Sequence, residues 1–383
     1  MLSGGLIFPI FAPFVRTEFT APVLLVGFSV SGYFVVRMFS EFPIGTLSDR
    51  VGPRKPMLLG RLLAIGGAFL CYNATGVWQL ILARALWGVG DAAFFCIGMS
   101  YVASLFSADR RGRALGMFQA VEMIGSLIGQ SVGGFTASAI GIRTNFLLST
   151  VLGVVALVMV SMVRGKRHDM VNKTGGSIIP SKQVLLTILN RQVLLACMIN
   201  FFGMMRNNGI TSTLLPIYVT ETLNIPLTQY GIIISASTIG SVSGNVFGGF
   251  LSDRVGRKKT LTLGFLIGTV ATFSLSIIGS FLQFIPVMFL NGLFWGIVYG
   301  TTPALIADSV PDNYRGMGIG AFRTFFDFGG LVGPIAFSGI LEYVGYPAGF
   351  TAAFYIGAAL MMANLLFVLR LKDTNNNITA PKT

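Results

Sequence analysis

The chain has 383 residues, 53% hydrophobic and only 11% charged, with a mean hydropathy of +0.76. Soluble domains carry about 25% charged residues, so this chain cannot cover a water-exposed surface, and lipid is its solvent. Its net charge of +13 does not mark a nucleic-acid binder, because the basic residues sit in short turns between apolar segments.

Apolar segments of about 20 residues are long enough to cross a bilayer as helices. In chain order the predicted spans cover residues 3–15, 22–47, 56–75, 78–106, 113–140 and 143–163. A polar stretch follows at 164–190, holding Arg164, Lys166, Arg167, Lys173 and Lys182 together with Gly175, Gly176 and Pro180. The second set covers 192–220, 226–251, 259–279, 282–308, 316–341 and 347–369. The predicted architecture is an all-α polytopic membrane protein of twelve transmembrane helices. Residues 1–163 form a first six-helix bundle, 164–190 a cytoplasmic linker, 191–372 a second bundle, and 373–383 a disordered tail.

The first span is short. Val193 to Pro216 places 23 residues ahead of that proline, whereas only 8 precede Pro9 in the similar stretch Ile7–Phe11. At ~1.5 Å per residue the difference is most of a bilayer's thickness, so the first helix is expected to be shortened at its N-terminus.

The three cysteines (Cys71, Cys96, Cys197) lie inside apolar runs and the single histidine (His168) in the polar linker, so no metal-ligand spacing or histidine-based catalysis is visible. No glycine-rich nucleotide loop ending in Gly-Lys-Ser/Thr is present, which argues against an enzyme and against ATP-driven pumping. No cofactor is implied. Basic residues at Arg50, Arg54, Lys55, Arg110, Arg111, Arg113, the linker, Arg254, Arg257, Lys258, Lys259 and Arg315 face one side, and only Arg16 and Arg143 the other. The positive-inside rule puts the first group, the linker and the C-terminus in the cytoplasm of a cell-membrane protein.

One stretch occurs twice. Residues 45–52 read GTLSDRVG and residues 249–256 read GFLSDRVG, 204 positions later. Arg111-Gly112 and Arg315-Gly316 repeat at the same offset. Gly45 and Gly249 lack side chains and so permit a neighbouring helix to pack close. Asp49 and Asp253, beside Arg50 and Arg254, carry charge toward helix N-termini or toward arginines such as Arg111 and Arg315. The plain alternative is a turn that only sets topology, although topology needs the basic residues and not the aspartates.

Twelve spans, a six-plus-six repeat, a basic central loop and this paired turn together resemble the major facilitator superfamily of secondary transporters, over nearly the whole chain. The resemblance implies two bundles around a cavity that opens alternately to either side. It also implies a conformational latch at Gly45, Asp49, Arg50, Arg111 and at Gly249, Asp253, Arg254, Arg315. Leu82, Arg84, Gly88 and Gly90 resemble the family's intramembrane arginine motif, with Asp91 in place of the usual small residue. Gly125, Gly129 and Gly133 resemble the glycine–proline motif of drug/proton antiporters, but Gln130 stands where proline is expected. Gly329, Gly333 and Pro334 repeat the pattern with the proline present. A packing seam explains these glycines equally well.

Arg37, Glu41, Arg84, Asp91, Glu122, Arg206, Arg323 and Asp327 lie well inside the spans. Eight such groups facing lipid would cost about 20–28 kcal/mol, so they must face a cavity or one another. The third, sixth, ninth and twelfth spans hold none of them, Arg61 lying near the cytoplasmic start of the third. Arg37–Glu41 and Arg323–Asp327 are four apart and can pair along one helix. Arg84 and Asp91 are seven apart and cannot pair directly. Glu122 has no basic residue three or four positions away, and a desolvated carboxylate can exchange a proton near neutrality. The proton-coupling candidates are therefore Glu122, then Asp91 and Asp327. Arg206 with Asn207, and Arg84, Arg323, Arg37 and Glu41, are candidates for the substrate cavity.

The expected function is proton-coupled secondary transport of a small organic solute by a monomer, leaning to export of drug-like molecules. Alternatives are uptake of organic anions or sugar-type solutes, and a non-transporting sensor or inactive fragment.

Overall fold

A computed structural model describes residues 2–106, 108–162, 190–310 and 315–372; inside these, some side chains, including those of Asp49, Arg50, Arg111 and Arg315, also fall outside the description. The linker, apart from Asn190, and the tail lie outside the described residues. The elements are α1 (Leu2–Ile7), α2 (Phe11–Phe19), α3 (Val23–Val51), α4 (Arg54–Tyr72), α5 (Val77–Leu105), α6 (Ala108–Ile140) and α7 (Ile142–Ser161). After the linker come α8 (Arg191–Arg206), π turns over Asn207–Leu214, a short α9 (Leu215–Ile217) and further π turns over Tyr218–Thr222. Then follow α10 (Leu227–Val255), α11 (Arg257–Ser274), α12 (Phe281–Ser309), α13 (Arg315–Val344) and α14 (Ala348–Leu369). No strand occurs among the described residues. Eight of these helices are each long and apolar enough to cross a membrane.

Two spans differ from the sequence expectation. The first is not one helix over 3–15; it breaks at Phe8–Ile10 into α1 and α2, because Pro9 has no N–H to donate and its ring crowds the preceding turn. The seventh stays wound but widens. Six residues separate Gly209 from Pro216, where three separate Gly5 from Pro9. The additional residues are taken up in π turns, whose backbone bonds reach five residues back. Ser212 and Thr213 hydroxyls follow this wider spacing, donating to the carbonyls of Asn207 (3.4 Å) and Asn208 (2.7 Å).

The chain divides into two compact units, Met1–Gly176 and Ser177–Thr383. Within each, the 204-residue offset seen in the turn also governs helix crossings. In the first unit a Cβ on Gly88 would sit 3.4 Å from Tyr33 Cα; in the second, a Cβ on Gly292 would sit 2.7 Å from the carbonyl carbon of Ser237. Both glycine and contact are repeat equivalents, and they bring α3 against α5 and α10 against α12. Likewise Gly5 of α1 lies against Gly129 of α6, and Gly209 against Gly333 of α13. Without a hydrophobic drive between helices in lipid, such backbone-to-backbone contact is what holds the pairs together. Side chains lock the seams: in the first unit Ser149 donates to Ser3 O (2.8 Å) and Asn145 to Gly133 O (2.9 Å). In the second, Asn200 donates to Phe322 O (3.1 Å) and Asn364 to Ile199 O (3.0 Å). Three buried threonine hydroxyls, of Thr260, Thr272 and Thr302, are satisfied within their own helix, each donating to the carbonyl four residues back.

The repeated turn is built alike in both units. Gly52 (φ +82°) and Gly256 (φ +105°) end α3 and α10 in a conformation that side-chain-bearing residues resist. The basic residues that follow have a defined task. Arg54 donates to Ser161 O (2.7 Å) and its equivalent Lys258 to Leu369 O (2.7 Å), so each caps the C-terminal end of its unit's last helix. The glycine that opens the turn behaves otherwise than expected. Gly249 has no neighbour within 4 Å, and Gly45 makes only an ordinary contact, 3.6 Å, with Cys96 Sγ. Close approach is made one residue earlier, where a Cβ on Gly248 would lie 2.8 Å from Ile297 Cα.

Candidate functional site

The first unit encloses a polar cluster contributed by α3, α4 and α5. Asp91, 7% exposed, accepts a hydrogen bond from Tyr33 Oη at 2.9 Å, and its other oxygen lies 3.8 Å from Arg61 Nη1. Arg61 is itself 4% exposed and stacks 4.3 Å from the Phe94 ring centroid. The sequence reading noted Arg61 only as lying near the cytoplasmic start of the third span and gave it no partner. It lies about 10 Å into the membrane from the start of α4 at Arg54, seven residues on, and supplies the partner that Asp91 could not find on its own helix.

Arg84 is held differently. Its guanidinium carbon sits 4.6, 4.8 and 5.4 Å from the ring centroids of Phe11, Tyr33 and Trp87. Its Nε is buried with no hydrogen-bond partner among the described residues. Three rings contribute cation–π attraction of up to about 2 kcal/mol each when desolvated, in place of a carboxylate. Tyr33 is therefore shared, its hydroxyl on Asp91 and its ring face on Arg84. On the same α3, Arg37 Nε lies 3.6 Å from Glu41 Oε1, the pairing that their spacing predicted. Glu122 is half-buried on α6, the helix that carries Gly129 and Gly133.

The second unit buries a different set. Arg206 closes α8 where the π turns begin, and it is fully buried. Its Nη1 donates to Asn291 Oδ1 on α12 and to Thr211 Oγ1 (3.1 Å) on the π segment. Its Nε and Nη2 have no partner among the described residues, and neither has the Nδ2 of buried Asn208. Asn207, the sequence candidate, is half-buried beside it. Asn291 is the repeat equivalent of Trp87, so in both units this α5/α12 position touches a buried arginine, by a ring in one, where Arg84 is on the same helix, and by an amide in the other, where Arg206 comes from α8. On α13, Asp327 is fully buried and Arg323 half-buried, one turn apart.

At the second copy of the repeated turn, Arg257 carries the charge contacts. Its Nη1 lies 2.8 Å from Asp253 Oδ1 and also donates to Ser252 Oγ, while its Nε lies 3.1 Å from Asp308 Oδ2 at the end of α12. Arg254 turns onto the Phe250 ring, 4.1 Å from its centroid. The predicted partners Arg111 and Arg315, with Asp49 and Arg50, have side chains outside the described set. At the opposite end of the first unit, Arg143 pairs with Glu18 (3.1 Å) and donates to the carbonyls of Tyr72 and Ala74 (both 3.1 Å), tying α7 to the ends of α2 and α4.

Sequence reasoning found the buried charges and missed what they touch: Tyr33, Phe11, Trp87, Arg61, Asn291 and Thr211. Only Trp87, three residues from Arg84 and so on its face, was within reach of spacing alone.

The description of the Major Facilitator Superfamily matches this chain twice, over residues 1–218 and 197–382. Among curated relatives, the uncharacterized MFS-type transporter MJ1560 of Methanocaldococcus jannaschii is 26% identical over 351 residues, covering 90% of this chain and 89% of its own. The multi-drug resistance efflux pump PmrA of Streptococcus pneumoniae (strain TIGR4) is 28% identical over 330 residues, covering 84% and 80%. The multidrug resistance protein MdtG of Klebsiella pneumoniae is 26% identical over 329 residues, covering 84% and 77%.

Proposed function

The chain belongs to the Major Facilitator Superfamily, and we propose that it is a proton-coupled exporter of small, amphipathic organic solutes, working by alternating access in the cytoplasmic membrane. The observation that carries this reading is the set of ionisable groups buried deep in apolar helices. Arg84, Asp91, Arg206 and Asp327 are each at most 7% exposed. Such groups are costly in a membrane and mark ion or substrate pathways. The direction rests on the relatives: PmrA is named a multi-drug resistance efflux pump and MdtG a multidrug resistance protein, and both align over most of this chain.

Within that reading the carboxylates divide. Asp91 is already committed to Tyr33 and Arg61, so it serves as the fixed anchor of the first unit's cluster. Glu122, half-buried on α6, and Asp327, buried on α13, are the groups assigned to carry protons. In this reading the repeated turns, the linker and the C-terminus face the cytoplasm, which the basic residues Arg54, Lys55, Arg254, Arg257 and Lys258 support through the positive-inside rule. Asp253, Arg257 and Asp308, with Asp49 in the first copy, form the latch that biases one conformation. The protein acts as a monomer.

The test uses purified protein reconstituted in liposomes. Glu122→Gln should abolish solute flux driven by a pH gradient while sparing solute–solute exchange at equal pH. A variant with normal gradient-driven flux removes Glu122 from the coupling role; loss of both modes together shows a structural role instead.

A further inference from the structure

We infer that the second unit carries a subsite for planar aromatic solutes bearing an anionic group, formed by Arg206 and an aromatic platform one helical turn away. The inference rests on the exporter reading and names its substrate class.

Two independent observations meet on α12. The first is the incomplete hydrogen bonding of Arg206. A guanidinium has five N–H donors. Nη1 is engaged by Asn291 and Thr211, and Nε and Nη2, which carry the other three, have no acceptor among the described residues although the residue is fully buried. Leaving charged donors without partners is costly, and a carboxylate is the acceptor whose paired oxygens match the fork of a guanidinium. The second observation is a triad of half-buried rings, Trp295 and Tyr299 on α12 and Phe326 on α13. Trp295 and Tyr299 stack at 6.0 Å with 29° between planes, and Phe326 packs on them at 6.3 and 6.1 Å.

Asn291, Trp295 and Tyr299 are spaced four apart, so they follow one face of α12. The contact with Asn291 fixes the guanidinium at that face, about 6 Å along the axis from Trp295. A solute lying on the rings with its acid group toward Asn291 would reach donors the protein leaves uncommitted. Thr211, the half-buried residue on Nη1, belongs to the π segment, a kind of widened turn that is frequent at functional sites. At the Asn291 end of the platform a cationic solute meets a guanidinium, while at the other end Phe326 is followed by buried Asp327. The charge preference is therefore set by which end the solute's ionic group occupies, and the open donors are at Arg206.

The test is calorimetric binding to the purified full-length protein, with three probes of similar size: 2-naphthoate, 2-naphthylmethylammonium and cyclohexanecarboxylate. The structure predicts saturable binding of 2-naphthoate at least tenfold tighter than either other probe. Trp295→Ala and Arg206→Gln should each weaken it tenfold or more, with Arg206→Lys intermediate. Should Arg206→Gln fail to fold, Trp295→Ala, on the half-exposed face, still decides the matter. Equal or tighter binding of the naphthyl cation, or a Trp295→Ala variant with unchanged affinity, overturns the subsite. The same probes in proteoliposomes separate this from the exporter reading. Gradient-driven efflux of the cation without naphthoate binding leaves the exporter standing and defeats the subsite. Saturable, Trp295-dependent naphthoate binding with no gradient-driven flux of any probe does the reverse.

Discussion

Arg61→Met tests the buried cluster of the first unit. Arg61 and Asp91 are 4% and 10% exposed at their side chains and 3.8 Å apart. At an effective dielectric of about 20 their attraction is about 4 kcal/mol. Removing one member of a buried pair strands the other, a loss of about 3–5 kcal/mol. Tyr33 still donates to Asp91 in the variant, which moves the expectation to the lower end, about 3 kcal/mol. Methionine fills much of the vacated volume and can still lie on Phe94, so the deficit reports the charge and not a cavity. Asp91→Asn keeps an acceptor for Tyr33 and removes the same pair from the other side. The double variant should then be no worse than the poorer single one, giving a coupling of about 2–3 kcal/mol in a double-mutant cycle. Equilibrium unfolding of the purified protein in mixed micelles, followed by circular dichroism, measures it. Costs that simply add, to within about 0.5 kcal/mol, would show that the two residues are neighbours and not partners.

Other consequences are equally specific. Gly129→Leu and Gly333→Leu, repeat equivalents at the two seams, should each force the paired helices apart and destabilise by about 1–3 kcal/mol or more; similar losses in thermal unfolding support the shared seam, and a neutral result at either position contradicts the contacts described. Asp253→Asn leaves Arg257 its Asp308 contact and alters an exposed pair, so unfolding should change by less than about 0.5 kcal/mol. If the turn is a latch, the same substitution, and Asp49→Asn in the first copy, should change the labelling rate of cysteines introduced at the cytoplasmic helix ends; unaltered rates in both would leave only a topological turn. Lys258→Met should fray the end of α14, seen as faster amide exchange at 366–370, with protection elsewhere in the unit retained.

How much of this was legible in the sequence follows a physical division. Spans, turns and seam glycines depend on a residue's immediate neighbours, and the 204-residue repeat carries them faithfully: Gly5 and Gly209, Gly88 and Gly292, Gly129 and Gly333, Arg54 and Lys258 do the same work in both units. Pro9 and Pro216 show where the repeat departs. Their stretches look alike, but three more residues precede Pro216, and one helix breaks where the other widens into π turns. The charged groups follow no such rule. Arg84 is matched by Met288 and Asp91 by Trp295, so each half builds its own polar interior on a common frame. Their partners lie on other helices, at separations of 30 to 85 residues for Arg61–Asp91, Tyr33–Asp91 and Arg206–Asn291. A spacing rule sees only one helix at a time. The cage around Arg84 was hidden for a further reason: with 33 phenylalanines in the chain, Phe11 carries no mark of its role.

The most direct test of the account is solute efflux from proteoliposomes under an imposed pH gradient, with the membrane potential clamped and sodium absent. The account predicts solute movement against its own gradient that stops when a protonophore collapses the pH difference. Flux that ignores the pH gradient and follows an imposed sodium gradient instead would contradict it.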